Sequence, residues 1–171
     1  MATTVVLETR RLTLRRFCLD DAEFVLRMLN DPGWLEHIGD RGVRSVDDAR
    51  IYLRDRMLAM YERLGFGMYL VALRDSGVPI GTCGLVKRDG LDDVDIGFAF
   101  LPQFRGEGFA LESAAAVLAH GKAAFGLKRI VAIVSPANHR SVSLLNKLGL
   151  RFERTVSLPG DDEELALYAV N

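Results

Sequence analysis

The sequence predicts a mixed α/β fold, a mostly antiparallel central sheet flanked by helices. Three features lead there. Apolar residues recur at helical spacing in the first third, the middle breaks into short runs separated by turn residues, and an Ala-rich helical stretch is followed by a β-branched run.

The elements follow in order. Leu12, Leu14 and, after Arg15 and Arg16, Phe17 suggest a first strand. Asp20 with Glu23 has the form of a capping box, and Ala22, Val25, Leu26 and Leu29 then share a helical face until Asn30-Asp31-Pro32-Gly33 stops it. Trp34 to Arg44 reads as a loop. Ser45 with Asp48 offers a second cap for a helix whose stripe runs from Ile51 and Tyr52 through Met57, Met60 and Tyr61 to Leu64, closed by Gly65. Met68 to Leu73, Val78 to Val86 and Val94 to Leu101 form a three-strand meander, turned at Asp75-Ser76-Gly77 and Arg88-Asp89-Gly90. A helix from Gly108 to about Phe125 precedes a strand, Ile130 to Val134, apolar on both faces and suited to the middle of a covered sheet. A short helix from Ser141 to Leu148 ends at Gly149, and Leu150 to Val156 pairs with Glu163 to Val170 as a hairpin.

A length of 171 residues suits a single domain spanning 1–171. The formal charge of −1 comes from 22 basic and 23 acidic side chains without long blocks of either sign, so a nucleic-acid partner is not expected. No apolar stretch has the length of a signal-peptide core or a membrane span, which points to a cytoplasmic protein with no membrane partner. Cys18 and Cys83 are far apart and read as reduced, buried thiols; His37, His120 and His139 are scattered, and no metal site is expected.

The informative segment is Phe98 to Ala110, where a strand runs through a short loop into a helix. The first N–H groups of a helix lack intrahelical acceptors and its dipole favours negative charge there, so such a junction attracts anions. Gly106 and Gly108 let the backbone approach a phosphate, and Arg105 adds a cation suited to phosphate oxygens. A Walker loop needs Gly-Lys-Ser/Thr, where Gly108 is followed by Phe109 and Ala110. A dinucleotide fingerprint needs a small residue at Leu111 and an acid at the end of the next strand, where Val134-Ser135-Pro136 stands. Neither fits. A tight strand-to-helix turn with no ligand stays open on the loop alone.

The residues resemble the GNAT superfamily of N-acetyltransferases, and within it the RimJ/RimL-like branch. Gln103-x-x-Gly106-x-Gly108 matches the superfamily's Gln/Arg-x-x-Gly-x-Gly/Ala pyrophosphate loop. The run from Asn138 through Ser141 and Leu145 to Gly149 is similar to its second cofactor motif, and Leu7 to Arg15 to the opening strand of that branch. The resemblance implies an acyl-CoA N-acyltransferase fold and a donor, acetyl-CoA. Its pantetheine arm would lie along Phe98, Ala99 and Phe100 and its pyrophosphate on the backbone of Arg105, Gly106, Glu107, Gly108, Phe109 and Ala110 beside Gln103, with Asn138 and Ser141 completing the site.

The implied reaction is direct attack by a neutral amine on the thioester in a ternary complex, with positioning and backbone donors supplying much of the rate. Asp95 stands where similar proteins often carry an acidic base; Glu112 is a second candidate, with stabilisation of the helix N-terminus as its structural role. Many members carry a tyrosine that protonates the leaving thiolate; Leu145 stands there instead, and Ser141 is the substitute proposed in RimJ/RimL-like proteins. A helix cap is the other reading of Ser141. The acceptor side falls to the first two helices and their loop, where Trp34, Glu36, His37 and Arg41 cluster. The acceptor is then an amine, of a peptide N-terminus or a small molecule. The missing tyrosine motivates an alternative, a catalytically silent acyl-CoA-binding module or regulator. A longer acyl group, with Phe98, Phe100 and the surroundings of Met68 lining or blocking its pocket, is a third reading. An exposed strand edge near the C-terminal hairpin makes a homodimer an expectation.

Overall fold

The computed structural model describes residues 3–171. In chain order the elements are β1 (Val5–Glu8), β2 (Leu12–Arg16), α1 (Ala22–Leu29), α2 (Pro32–His37), α3 (Val46–Tyr52), a π-helical stretch (Leu53–Leu58), α4 (Ala59–Leu64), β3 (Met68–Leu73), β4 (Pro79–Val86), β5 (Asp95–Phe100), α5 (Phe109–Phe125), β6 (Ile130–Val134), α6 (His139–Lys147), β7 (Arg151–Val156) and β8 (Leu165–Val170). The strands make one sheet in the order β1-β2-β3-β4-β5-β6-β8-β7, antiparallel throughout except between β5 and β6.

Strand alternation divides the core between the two faces of this sheet. Tyr69, Val71, Cys83, Leu85, Ile96, Ile130 and Ala132 pack toward Ala114, Val117 and Leu118 of α5. Leu70, Ala72 and Leu101 pack on the other face with Val25, Met28, Leu29, Trp34 and Leu53 from the first helices. Complete burial in this face pushes the Cys83 thiol up to about 12, so it is a packing residue and not a nucleophile.

The expected order of elements is present, with four corrections. A strand, β1, precedes the first one read from the sequence and pairs with β2 from Val5↔Arg15 to Glu8↔Thr13. The carboxylate that closes the turn before α1 belongs to Asp21 and not to a box on Asp20: Asp21 Oδ2 accepts the Cys18 N–H at 2.8 Å, and its carboxylate also grips Arg15 at 2.8 and 2.9 Å. The expected loop from Trp34 begins as helix α2, because Asp31 caps it by accepting from the Gly33 and Trp34 amides with Pro32 at the first helical position. The second helix contains the π-helical stretch in its middle. Its ends are as expected: Ser45 accepts from the Asp48 N–H at 3.0 Å, and Gly65 ends it in the left-handed region at φ 79.

Two glycines of β4 are required by close approach, and a Cβ on Gly81 would stand 2.4 Å from the Ala99 carbonyl oxygen. A Cβ on Gly84 would stand 2.2 Å from the Gly67 carbonyl oxygen and 2.6 Å from Met68 Cα, both backbone atoms. Gly84→Ala is therefore expected to destabilise the fold by about 1–3 kcal/mol, the usual cost of overpacking. The check is the urea midpoint; an unchanged midpoint would mean that β3 moves aside without cost.

Candidate functional site

The site begins where the sheet comes apart. β5 and β6 run parallel but share one register pair, Asp95↔Val131, with the Val131 N–H on the Val94 carbonyl at 3.0 Å. Beyond it the strands diverge, while β5 keeps its ladder to β4 as far as Gly81↔Phe100. Among the described residues, the edge of β5 that faces β6 is thus left without strand partners from Gly97 onward. Strand backbone must find hydrogen bonds, so this edge is a place for an extended ligand.

A cleft of about 1560 Å³ opens there, larger than a pocket for one drug-sized molecule, and so it has room for a donor and an acceptor together. Phe98, Ala99, Phe100, Arg105, Gly106, Gly108, Phe109, Ala110, Asn138 and Ser141 all line it. Gln103, on the turn Pro102–Phe104, and Glu107 are outside its lining.

At the mouth, Gly106 and Gly108 both take the left-handed region, at φ 81 and 82, and α5 starts at Phe109. A Cβ on Gly106 would meet nothing within 4 Å, whereas one on Gly108 would come 3.3 Å from Arg11 Nη2. That arginine has a role the sequence reading did not give it. Its Nη1 donates to the Glu107 carbonyl at 2.9 Å, its Nε donates to Glu112 Oε1 at 2.8 Å, and its guanidinium lies over the Phe109 ring at 4.4 Å. Because a trans peptide places C=O and N–H on opposite sides, holding the Glu107 carbonyl outward turns the Gly108 N–H the other way. Only the pair of adjacent arginines, Arg10-Arg11, hinted at this, and nothing in the spacing joins them to a helix about a hundred residues on.

Glu112 is occupied. Besides Arg11 Nε it accepts from Thr9 Oγ1 at 2.5 Å and from the Arg11 N–H at 3.0 Å. Burial would raise its pKa, but these hydrogen bonds outweigh burial and lower it. Its place is a tie between the β1–β2 turn and the first turn of α5, which sets it apart from a proton acceptor.

Asp95 is different. It is 1% exposed and lines the cleft. Its neighbours Ile96 and Phe100 face the α5 side and Ala99 faces the α1–α4 side, so alternation puts Asp95 on the α1–α4 face. Oδ2 accepts from Arg88 Nε at 3.0 Å, while Oδ1 is buried with no partner among the described residues. Burial pushes its pKa up to about 6, and the Arg88 charge and hydrogen bond offset this only in part. Arg88 stands in the turn between β4 and β5, and the hairpin brings it back to Asp95.

On the far wall, the Asn138 side chain caps α6 by accepting the Ser141 N–H at 3.4 Å. The capping reading of Ser141 is therefore corrected: Asn138 is the cap, and Ser141 lies in the first turn, on the cleft. Leu145 is 1% exposed and belongs to the core.

Trp34, Glu36, His37 and Arg41 all line the same cleft, carried by α2 and the segment after it. Glu36 and His37 are 3.8 Å apart and solvent-facing, whereas Trp34 is 8% exposed, packed with the α1–α4 cluster, and its Nε1–H has no partner among the described residues. Arg105, expected to face phosphate, sends its guanidinium elsewhere: Nε donates to the Phe100 carbonyl at 3.0 Å and Nη2 to Asp31 Oδ2 at 2.8 Å.

Residues 11–151 match the family described as Acetyltransferase (GNAT) domain. The chain is 30% identical over 145 residues to the uncharacterized N-acetyltransferase YnaD of Bacillus subtilis, covering 85% of this chain and 82% of that one. A GNAT-family acetyltransferase structure from Bacillus anthracis superposes with a TM-score of 0.79 at 27% identity, covering 96% of each chain. RimL, a ribosomal L7/L12 α-N-protein acetyltransferase solved with coenzyme A, shares the fold at a TM-score of 0.82 and 18% identity, covering 97% of each chain.

Glu112→Ala is expected to lower stability by roughly 1–3 kcal/mol, because it strips partners from Thr9 and Arg11. The pH dependence of turnover should keep its shape. Chemical denaturation and a pH–rate profile check the two halves; an altered profile in a stably folded variant would return Glu112 to the chemistry.

Proposed function

Since this chain belongs to the GNAT acetyltransferase family, which transfers an acyl group from acyl-CoA to an amine, we propose that it carries acetyl from acetyl-CoA to a primary amine by direct attack in a ternary complex. The observation that carries the reading is the gap between β5 and β6, pinned at Asp95↔Val131 and opening beside a two-glycine loop at the start of α5.

The chain's residues suit such a donor. The free edge of β5 offers backbone groups to an amide-bearing arm as another strand would. The amides that open α5, with Gly106 and Gly108 clearing the approach, suit a pyrophosphate. A bound thioester supplies the acyl group and a thiolate leaving group.

Asp95 takes the proton. An amine attacks only when neutral; an α-amine, with a pKa of about 8, reaches that state more readily than a lysine at about 10.4. A carboxylate titrating at about 6 is ionised at neutral pH and still a better acceptor than an ordinary aspartate. Its unpartnered Oδ1 is the atom for the task. Ser141, in the first turn of α6 on the cleft wall, is the candidate to return a proton to the thiolate.

Asp95 Oδ1 and Trp34 Nε1 are both buried with no partner among the described residues; both residues line the cleft, Asp95 at the start of β5 and Trp34 packed near its end. The weak basicity asked of Asp95 suits an α-amine better than a lysine-like amine, which favours a peptide N-terminus, as in the RimJ/RimL-like branch, over polyamines. Glu36, His37 and Arg41 would meet the rest of the acceptor at the rim. The buried Leu145 in the tyrosine's place favours a second reading, a silent acyl-CoA-binding module.

Acetyl-CoA-dependent thiol release with peptides of varied N-terminal residue, free amino acids, polyamines and aminoglycosides separates these. Turnover on peptides supports the proposal, turnover on polyamines alone removes the preference for an α-amine, and tight binding without release on any amine favours the silent module.

Two variants test the parts. The ionised fraction of Asp95 rises with pH through about 6, so kcat/KM should climb across that region; Asp95→Asn should erase the limb and cost about 10²- to 10⁴-fold in turnover. A variant with an unchanged profile would remove Asp95 from the reaction. Gly108→Val forces a β-branched residue to φ 82 and presses on Arg11, so the acetyl-CoA Kd, read by calorimetry, should rise at least about tenfold; unchanged affinity would contradict the loop assignment.

A further inference from the structure

One guanidinium joins the two halves of the cleft. Arg105 sits in the glycine loop, with its N–H on the Pro102 carbonyl at 3.2 Å. Its Nε holds the last carbonyl of β5, that of Phe100, at 3.0 Å, and its Nη2 holds Asp31 Oδ2 at 2.8 Å. The same Asp31 oxygen accepts the Gly33 and Trp34 amides at 3.0 and 3.3 Å, which is what starts α2. The Asp31 side chain is 8% exposed and that of Arg105 35%, so the pair is partly shielded from water. A cation near a helix N-terminus is unfavourable unless an anion lies between them, and Asp31 is that anion. The approach is close: a Cβ on Gly33 would stand 2.8 Å from Arg105 Nη2 and 3.0 Å from Nη1 and Asp31 Oδ2, so the guanidinium would have to shift.

We propose that Arg105 is a positioning residue that couples occupation of the glycine loop to the placement of α2, so that binding of the CoA moiety tightens the wall carrying Trp34. This rests on the reading of the loop as an acyl-CoA site. The physical reason is geometric: fixing the loop backbone fixes the Arg105 Cα, and a charge-assisted bond of 2.8 Å transmits that restraint to the residue that caps α2. A guanidinium spent on Asp31 is not spent on phosphate, which leaves phosphate recognition to backbone amides.

The molecule carries its own probe. Trp34 is the single tryptophan of the chain and lies three residues from Asp31. The experiment uses the full chain and free coenzyme A, with binding measured by calorimetry and Trp34 emission measured on excitation beyond the adenine band. Three variants cut the link at different points. Asp31→Ser keeps a capping oxygen on α2 but removes the charge; Gly33→Ala displaces the guanidinium without altering either charge; Arg105→Gln removes the cation. Thermal melts confirm that each is folded.

The expected result is a change in Trp34 emission on coenzyme A binding to the unsubstituted chain, falling at least about threefold in amplitude in each folded variant at saturation. Hydrogen exchange of the Gly33 to His37 amides should slow on binding in the unsubstituted chain and not in Asp31→Ser. Full emission amplitude in Asp31→Ser and Gly33→Ala, or coenzyme A binding that leaves Trp34 emission unchanged in the unsubstituted chain, would overturn the coupling while leaving the loop assignment intact. No coenzyme A binding at all would overturn the loop assignment and the coupling with it.

Discussion

A parallel strand pair that hydrogen-bonds once and then separates is the constraint on which the rest of this structure depends. Strand backbone left unpaired in a protein interior is costly, so a gap inside a sheet persists only where the flanking elements hold it open and something polar can fill it. Here β5 is held from one side by its full ladder to β4, and β6 is held from the other by β8, from Ile130↔Val170 to Val134↔Ala166. Each strand is committed to its outer neighbour, and neither can close the gap. α5 and α6 then bring a helix start to each side of the opening, one with a glycine loop and one with an asparagine cap.

Charge placement follows the same geometry. Asp95 stands at the point where the strands part, the most buried carboxylate of the cleft wall, and Arg88 answers only one of its oxygens. The burial that raises its pKa would be a pure cost in a structural ion pair, since a second hydrogen bond would relieve it. Glu112 shows the opposite design: both of its oxygens are filled, and its pKa falls. The two carboxylates are thereby set apart: Glu112 ties two elements together with both oxygens engaged, whereas Asp95 keeps one oxygen with no partner among the described residues.

Much of this was legible in the sequence, and the parts that were not have physical reasons. The strand-loop-helix junction at Phe98 to Ala110 was readable because glycines at positive φ and a helix start leave local marks. The meander, α5, β6 and the C-terminal hairpin were readable from periodicity. β1 was missed because four residues, Val5–Glu8, carry no alternation long enough to register. α2 was missed because Asn30-Asp31-Pro32-Gly33 reads as a stop, although Asp31-Pro32 is equally a helix start. The directions taken by Arg105, Arg11 and Arg88 were beyond reach. Each reaches an acidic partner through contacts that arise only once the sheet has assembled, and an arginine beside a phosphate loop looks the same in sequence whichever way it turns.

Hydrogen exchange with and without saturating acetyl-CoA tests the central claim most directly, because it reads the backbone groups that the gap leaves free. The account predicts protection concentrated in Gly97 to Leu101, along the free edge of β5, and in Arg105 to Leu111, at the loop and the start of α5. Protection that spares both segments while acetyl-CoA is bound elsewhere would contradict it.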